Sequence, residues 1–217
     1  VADTSIENLT PLSLPDTGGA DVIAIVDDPG GTPVTKKITS RNLLKATITR
    51  DIYIPAKQFI SVTTNGAELT TVELATNDIM IDAAGFDTAT SEKIQFWHKF
   101  ESNWNAGTVT FKLDWTNTGG ASAETIDFDL AGHSYADDDA LDAVLGGTPA
   151  NVTDIFTAQN DLNTTAFSGN VTLGGTPADG QINMFQLSRD VASDNLAGDC
   201  KIMGITIRYT VTDLASS

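Results

Sequence analysis

Three segments alternate apolar and polar residues with a period of two, and that period suits only extended strands with one buried face. Val109, Phe111, Leu113 and Trp115 alternate with Thr110, Lys112, Asp114 and Thr116. Ile126, Phe128 and Leu130 alternate with Asp127 and Asp129, and Met203, Ile205, Ile207, Tyr209 and Val211 alternate with Gly204, Thr206, Arg208, Thr210 and Thr212. Successive side chains of a strand point to opposite faces, so each apolar set predicts one core-facing row. Further candidate strands cover 59–64, 70–82, 93–100, 166–173 and 182–189, separated by turns rich in Gly, Asn, Asp and Thr. About eight strands at this spacing predict an all-β chain, an antiparallel jelly-roll-like β-sandwich.

One short helix is expected to interrupt the strands. Asp137, Asp138 and Asp139 precede Ala140, Leu141, Asp142, Ala143, Val144 and Leu145, with Gly146 and Gly147 at the stop. Acids suit the positive end of a helix dipole and glycine suits a left-handed C-cap. The same acids suggest a calcium site, but the ligand spacing, central glycine and terminal glutamate of a calcium loop are missing, so capping is the preferred role and no metal is assigned.

Charge divides the chain near residue 50. Residues 1–50 hold five bases (Lys36, Lys37, Arg41, Lys45, Arg50) against six acids, whereas the remainder holds seven bases against twenty-three acids of a chain whose net charge is −17. The expected organisation is therefore an arm, 1–50, and a sandwich domain, 51–217. A body this acidic repels nucleic acid and anionic membranes, and no run of ~18 apolar residues or secretory leader is present to predict membrane insertion or export. Cys200 is the only cysteine and reads as a small buried hydrophobe on a strand.

Within the arm, Val22, Ile23, Ala24, Ile25 and Val26 form a strand-like run stopped by Asp27, Asp28, Pro29, Gly30 and Gly31. Residues 34–38 return as a second strand, and Thr39 or Ser40 caps a helix start at Arg41, Asn42, Leu43 and Leu44. A hairpin with one helical turn does not hold itself together in water. The arm is expected to pack on the body, on copies of itself or on another protein.

Catalytic signals are sparse. His98 and His133 are the only histidines, no nucleophile-elbow, phosphate-loop or zinc-protease motif occurs, and with twenty-nine acids some carboxylate pair falls ~5–9 Å apart in any fold. The chain is expected to be non-enzymatic, with no cofactor. Trp97, Trp104 and Trp115 lie close together in sequence. Trp115 is in phase with the core row, Trp97 is out of phase with Phe96 so that one of the two points outward, and Trp104, in a turn, is the best candidate for an exposed ring. Trp104 and Trp97 are the candidate glycan contacts. Arg189 with Asp190, Asp194 and Asp199 is expected to form a self-satisfied ion-pair network.

Two parts of the sequence carry a resemblance. The run "LTPLSLPDTGGADVIAIVDDPGGTPVTKKITSRNLLKA" resembles the N-terminal segment of tailed-phage virion proteins. "TTNGAELTTVEL", "GFDTATSEKIQFWHKFESNWNAGTVTFKLDWT", "YADDDALDAVLGGTPANVTD" and "LGGTPADGQINMFQLSRDVASDNLAGDCKIMGITIRYT" look like a domain recurring in phage structural proteins. The resemblance implies a homotrimeric fibre, spike or decoration protein on the virion surface, on head or tail, with capsid, portal or tail components as partners and with host attachment as a role. Docking and oligomerisation would then fall on Val22, Ile23, Ile25, Val26, Lys36, Lys37, Ile38, Arg41, Leu43 and Leu44. The alternative expectation is a carbohydrate-binding module that recognises host surface glycans.

Overall fold

The C-terminal alternation becomes the longest strand among the described residues and the one around which a sheet is assembled. The computed structural model describes the backbone of residues 22–27 and 34–39, and residues 48–117 and 119–212 in full. Among the described residues fifteen strands follow in order: β1 (Val22–Asp27), β2 (Val34–Thr39), β3 (Ile48–Pro55), β4 (Ile60–Ser61), β5 (Glu68–Leu74), β6 (Ile79–Phe86), β7 (Lys93–His98) and β8 (Thr110–Asn117). After them come β9 (Thr125–Tyr135), β10 (Gly147–Thr148), β11 (Ala150–Ile155), β12 (Asn163–Thr164), β13 (Thr172–Leu173), β14 (Ile182–Arg189) and β15 (Cys200–Val211).

The chain divides into two units, taken separately. In the first, β1 and β2 form the antiparallel hairpin expected from the sequence, with Val22 opposite Thr39 and Asp27 opposite Val34. The helix start, with Arg41, Leu43 and Leu44, lies outside the described residues. The second unit, Ile48–Thr212, is an all-β, antiparallel, jelly-roll-like sandwich. One sheet runs β11-β9-β14-β7-β4; the other runs β12-β8-β15-β6-β5, with β3 paired to β15 beyond the end of β6.

The core forms where the two apolar rows meet. Phe96, Phe128, Leu130 and Phe185 face Phe111, Leu113, Ile205, Ile207 and Tyr209 across the layer, all at most 1% exposed. Phe96 stacks on Phe185 with centroids 5.2 Å apart, and Phe86 meets Phe128 edge to face at 4.9 Å. Each such ring contributes about 1.5–3 kcal/mol of burial. On β15 the phase shifts once: Met203 is an extra residue between Ile202 and Gly204, which oppose the consecutive Trp115 and Asp114. The bulge turns Met203 outward and puts Cys200 and Ile202 into the core row with Ile205, Ile207, Tyr209 and Val211. Gly204, beside the bulge, leaves room for the outer end of the Tyr53 ring, which lies where a Cβ would project.

Three expectations are corrected. No helix forms at 137–147; among the described residues the one helical element is a 3-10 turn at Ala56–Gln58. The acids act instead in a turn: the Asp139 carboxylate accepts the Ala136 N–H at 2.8 Å, and Asp138 sits at φ 68°. The apolar residues of this segment, Leu141 and Val144, are 66% and 87% exposed, so the segment has no buried face to stabilise a short helix. The strand expected at 70–82 is a hairpin, β5 and β6, turned at 75–78 with Asp78 in the left-handed region. The strand expected at 166–173 shrinks to Thr172–Leu173, because side chains take over the ladder: the Leu113 N–H donates to Thr165 Oγ1 and the Phe111 N–H to Ser168 Oγ, both at 3.0 Å. β3 and β11 were not anticipated as strands of the sandwich.

Arg189, at the end of β14, is fully buried. Its Nε and one terminal nitrogen donate to the two oxygens of Asp194 at 2.8 and 2.9 Å, and the terminal nitrogens also donate to the carbonyls of Phe86 (2.8 Å), Leu196 (3.1 Å) and Gly198 (3.1 Å). All five N–H donors are thus satisfied. Of the three acids expected in the network, Asp194 alone bonds the guanidinium. Removing Asp194 as Asp194→Ala leaves a buried cation without its counter-ion and is expected to cost about 3–5 kcal/mol. Urea unfolding should show this, and Arg189→Met/Asp194→Leu should stay well below the parent, because the Phe86, Leu196 and Gly198 carbonyls lose their donors.

Candidate ligand-binding face

The alternation that sends Ile94, Phe96 and His98 inward on β7 sends Gln95 and Trp97 outward, and β9 and β14 obey the same rule. Register then assembles rows on the outer face of the five-stranded sheet. Gln95, Gln186 and Ala131 form one row; Trp97, Met184 and His133 form the next; Ile182 and Tyr135 form a third. The Gln95 amide donates to Gln186 Oε1 at 3.2 Å. Trp97 and Tyr135 sit on strands separated by β14, yet their ring centroids are 5.6 Å apart, less than two strand spacings. The rings therefore lean toward one another over Met184 and Ile182. Trp97 remains 38% exposed, whereas Met184 beneath is 7% exposed.

Beside this aromatic pair lies an open groove of about 300 Å³ lined by Lys99, Tyr135, Ala136, Asp137, Gly180, Gln181 and Ile182. The Tyr135 hydroxyl donates to the Leu141 carbonyl at 3.1 Å, and the Gln181 side chain accepts from Ser134 Oγ (2.7 Å) and the Ala178 N–H (3.0 Å). Side chains at the groove are thus held by the backbone of the loops above. His133 packs on Tyr135 at 4.6 Å, and His98 faces inward against Phe100, where burial lowers its pKa.

The structure separates the two candidate contacts. Trp97 is on the open face, but Trp104 is 3% exposed and belongs to the core, which corrects its expected exposure. Its turn is paired to the end of β15: the Asn105 N–H donates to Thr210 O at 2.9 Å and the Thr212 N–H to Asn103 O at 3.0 Å. That pairing folds the indole inward onto Phe100, 4.6 Å away. Trp115 is core, as expected, and its Nε1 donates to Asp154 Oδ2 at 2.8 Å. The groove residues Tyr135, Lys99, Gln181 and Ile182 were missed; continuing the β9 alternation past Leu130 would have put Tyr135 on the face of Asp127 and Asp129. In the hairpin, Val22, Ile23, Ile25 and Val26 lie on β1 and Lys36, Lys37 and Ile38 on β2, with Ile23 opposite Ile38 and Ile25 opposite Lys36.

Farther along this face, the carboxyls of Asp127 and Asp129 are pushed up by burial, with Asp190 adding repulsion to both. A raised carboxylate favours the folded state when protonated. That contribution is fully present below the unfolded value of ~3.9 and is lost as pH rises through the higher folded value.

No family model matches the chain, and no curated protein does. Solved structures do. They include the CBM36-1 domain of a multidomain xylanase from the hindgut metagenome of Trinervitermes trinervoides, at 14% identity and a TM-score of 0.41, covering 73% of this chain and 96% of that one. CBM35 from Cellvibrio japonicus Abf62 is similar at 14% identity and 0.43, covering 73% and 92%. TmCBM61, in complex with beta-1,4-galactotriose, is similar at 12% and 0.31, covering 76% and 88%. The expectation of a virion fibre, spike or decoration protein is corrected here: the three structures just described are carbohydrate-binding modules, and none is a virion protein.

Two measurements check this placement. Trp104→Ala is expected to lower stability by about 3–5 kcal/mol in denaturant unfolding, as for a large core ring. Asp129→Asn is expected to stabilise the protein at pH 7 and to leave it unchanged near pH 3, flattening the pH profile of the melting temperature.

Proposed function

We propose that the sandwich is a non-catalytic carbohydrate-binding module that takes a host-surface glycan on the outer face of its five-stranded sheet. The observation that carries this reading is the Trp97 ring, which leans over β14 toward Tyr135 and is the one exposed indole of three. A pyranose ring offers an apolar C–H face that packs on an aromatic ring, and a rim of hydroxyls that both donate and accept hydrogen bonds. The Trp97 and Tyr135 pair supplies the first surface. The Gln95 and Gln186 amides on one side, and Lys99, Asp137 and Gln181 on the other, supply partners for the second. The groove is open, which suits a chain crossing the face better than an enclosed small molecule.

The test is a glycan array followed by titration calorimetry on the hits. Trp97→Ala is expected to weaken binding at least tenfold, about 1.4 kcal/mol, in a protein that stays folded by circular dichroism. Binding that survives Trp97→Ala unchanged, or an array without hits, overturns the reading.

A further inference from the structure

One edge of the six-stranded sheet is left open. β5 is hydrogen-bonded to β6 from Glu68 to Leu74 and carries no ladder on its other side among the described residues. Seven residues leave about 24 Å of unpaired backbone. Other edges of the sandwich are guarded in the usual ways. β4 and β12 are two residues long; β3 carries Arg50, Asp51 and Pro55; β11 points Asp154 inward to Trp115. β5 has no proline, no lysine and no bulge. Its hairpin also exposes apolar side chains on both faces, with Leu69 at 43%, Ile79 at 53% and Met80 at 58%.

We propose that two copies of this chain join through β5, edge to edge and antiparallel, about a two-fold axis at Thr71. Antiparallel pairing of identical strands places the axis perpendicular to the sheet and keeps each face on its own side. The register that pairs all seven residues sets Thr71 opposite Thr71, Thr70 opposite Val72, Leu69 opposite Glu73 and Glu68 opposite Leu74. No glutamate faces a glutamate, which matters in so acidic a body, since like charges directly opposite destabilise a pair. Each glutamate meets a leucine, along which its methylenes pack while the carboxylate reaches water. On one face Val72, beside Ile81 of β6, meets Thr70 of the second copy and lies diagonal to its Val72. The two six-stranded sheets merge into one, and the exposed edge is consumed. The contact is smaller than a standard interface, so the dimer forms at high protein concentration.

The test is a cysteine placed on the axis of the full-length chain. Directly opposed residues of an antiparallel pair have Cα atoms ~4.5–5.5 Å apart, within disulfide range. Cys200 is buried and stays out of the reaction. Under mild oxidation, Thr71→Cys is expected to give disulfide-linked dimers, and Glu68→Cys, whose partner would be Leu74, is expected to give at least tenfold less. Adding Val72→Lys to Thr71→Cys is expected to abolish the cross-link, and in sedimentation Val72→Lys alone should remove a mass that otherwise rises with concentration. Equal cross-linking at both positions, or a cross-link indifferent to Val72→Lys, overturns the proposal. So does a monomer up to ~1 mM, which would leave the edge to a strand from another protein.

Discussion

A guanidinium without access to water holds the far end of this sandwich together. Arg189 ends β14 in one sheet, the Phe86 carbonyl it binds ends β6 in the other, and the Asp194, Leu196 and Gly198 groups it also binds form the loop that leads into β15. An arginine cannot shed its proton to escape burial, so five acceptors must be in place before the charge is tolerated. That requirement fixes the loop at 194–198 and the spacing of the sheets at that end. Cys200 follows at once, opposite Phe86, and the twelve-residue strand starts in register from there. At the other end the fastening is apolar: Phe100, Trp104 and Tyr209 close the core as an aromatic cluster.

The sandwich leaves two outer faces of different character. On the six-stranded sheet, Arg208 is clamped by both oxygens of Asp51 at 2.7 and 2.8 Å and lies 3.8 Å over the Phe167 ring, a self-contained arrangement that joins β3, β15 and the segment after β12. The Arg208 guanidinium holds the Asp51 carboxyl below its ordinary value. On the five-stranded sheet the corresponding centre is aromatic and amide-rich, with the carboxylates displaced toward the Arg189 end. The proposed function is placed on the second face because there Trp97 and Tyr135 lean together beside an open groove.

Much of this was legible beforehand. The three alternating segments became β8, β9 and β15, and 182–189 became β14 with the same limits. Short strands such as β10 and β12 were not legible, because two residues carry no period. The candidate site was half legible: phase showed that either Phe96 or Trp97 points outward, but the choice between them needed the opposite sheet. Trp104 failed for a related reason. A turn is usually exposed, and nothing local announces that its backbone will pair with the last residues of β15.

The sequence by itself determined which residues of each long strand share a face, because the period of two is a property of the backbone. It also determined that the body would be acidic and all-β. Only the tertiary structure decided which face became interior, where Met203 broke the phase, that Arg189 found all its acceptors in loops and a distant strand end, and that Trp97 rather than Trp104 stayed in water. Those outcomes depend on contacts between residues far apart in the chain, and a local pattern carries no information about what will be packed against it.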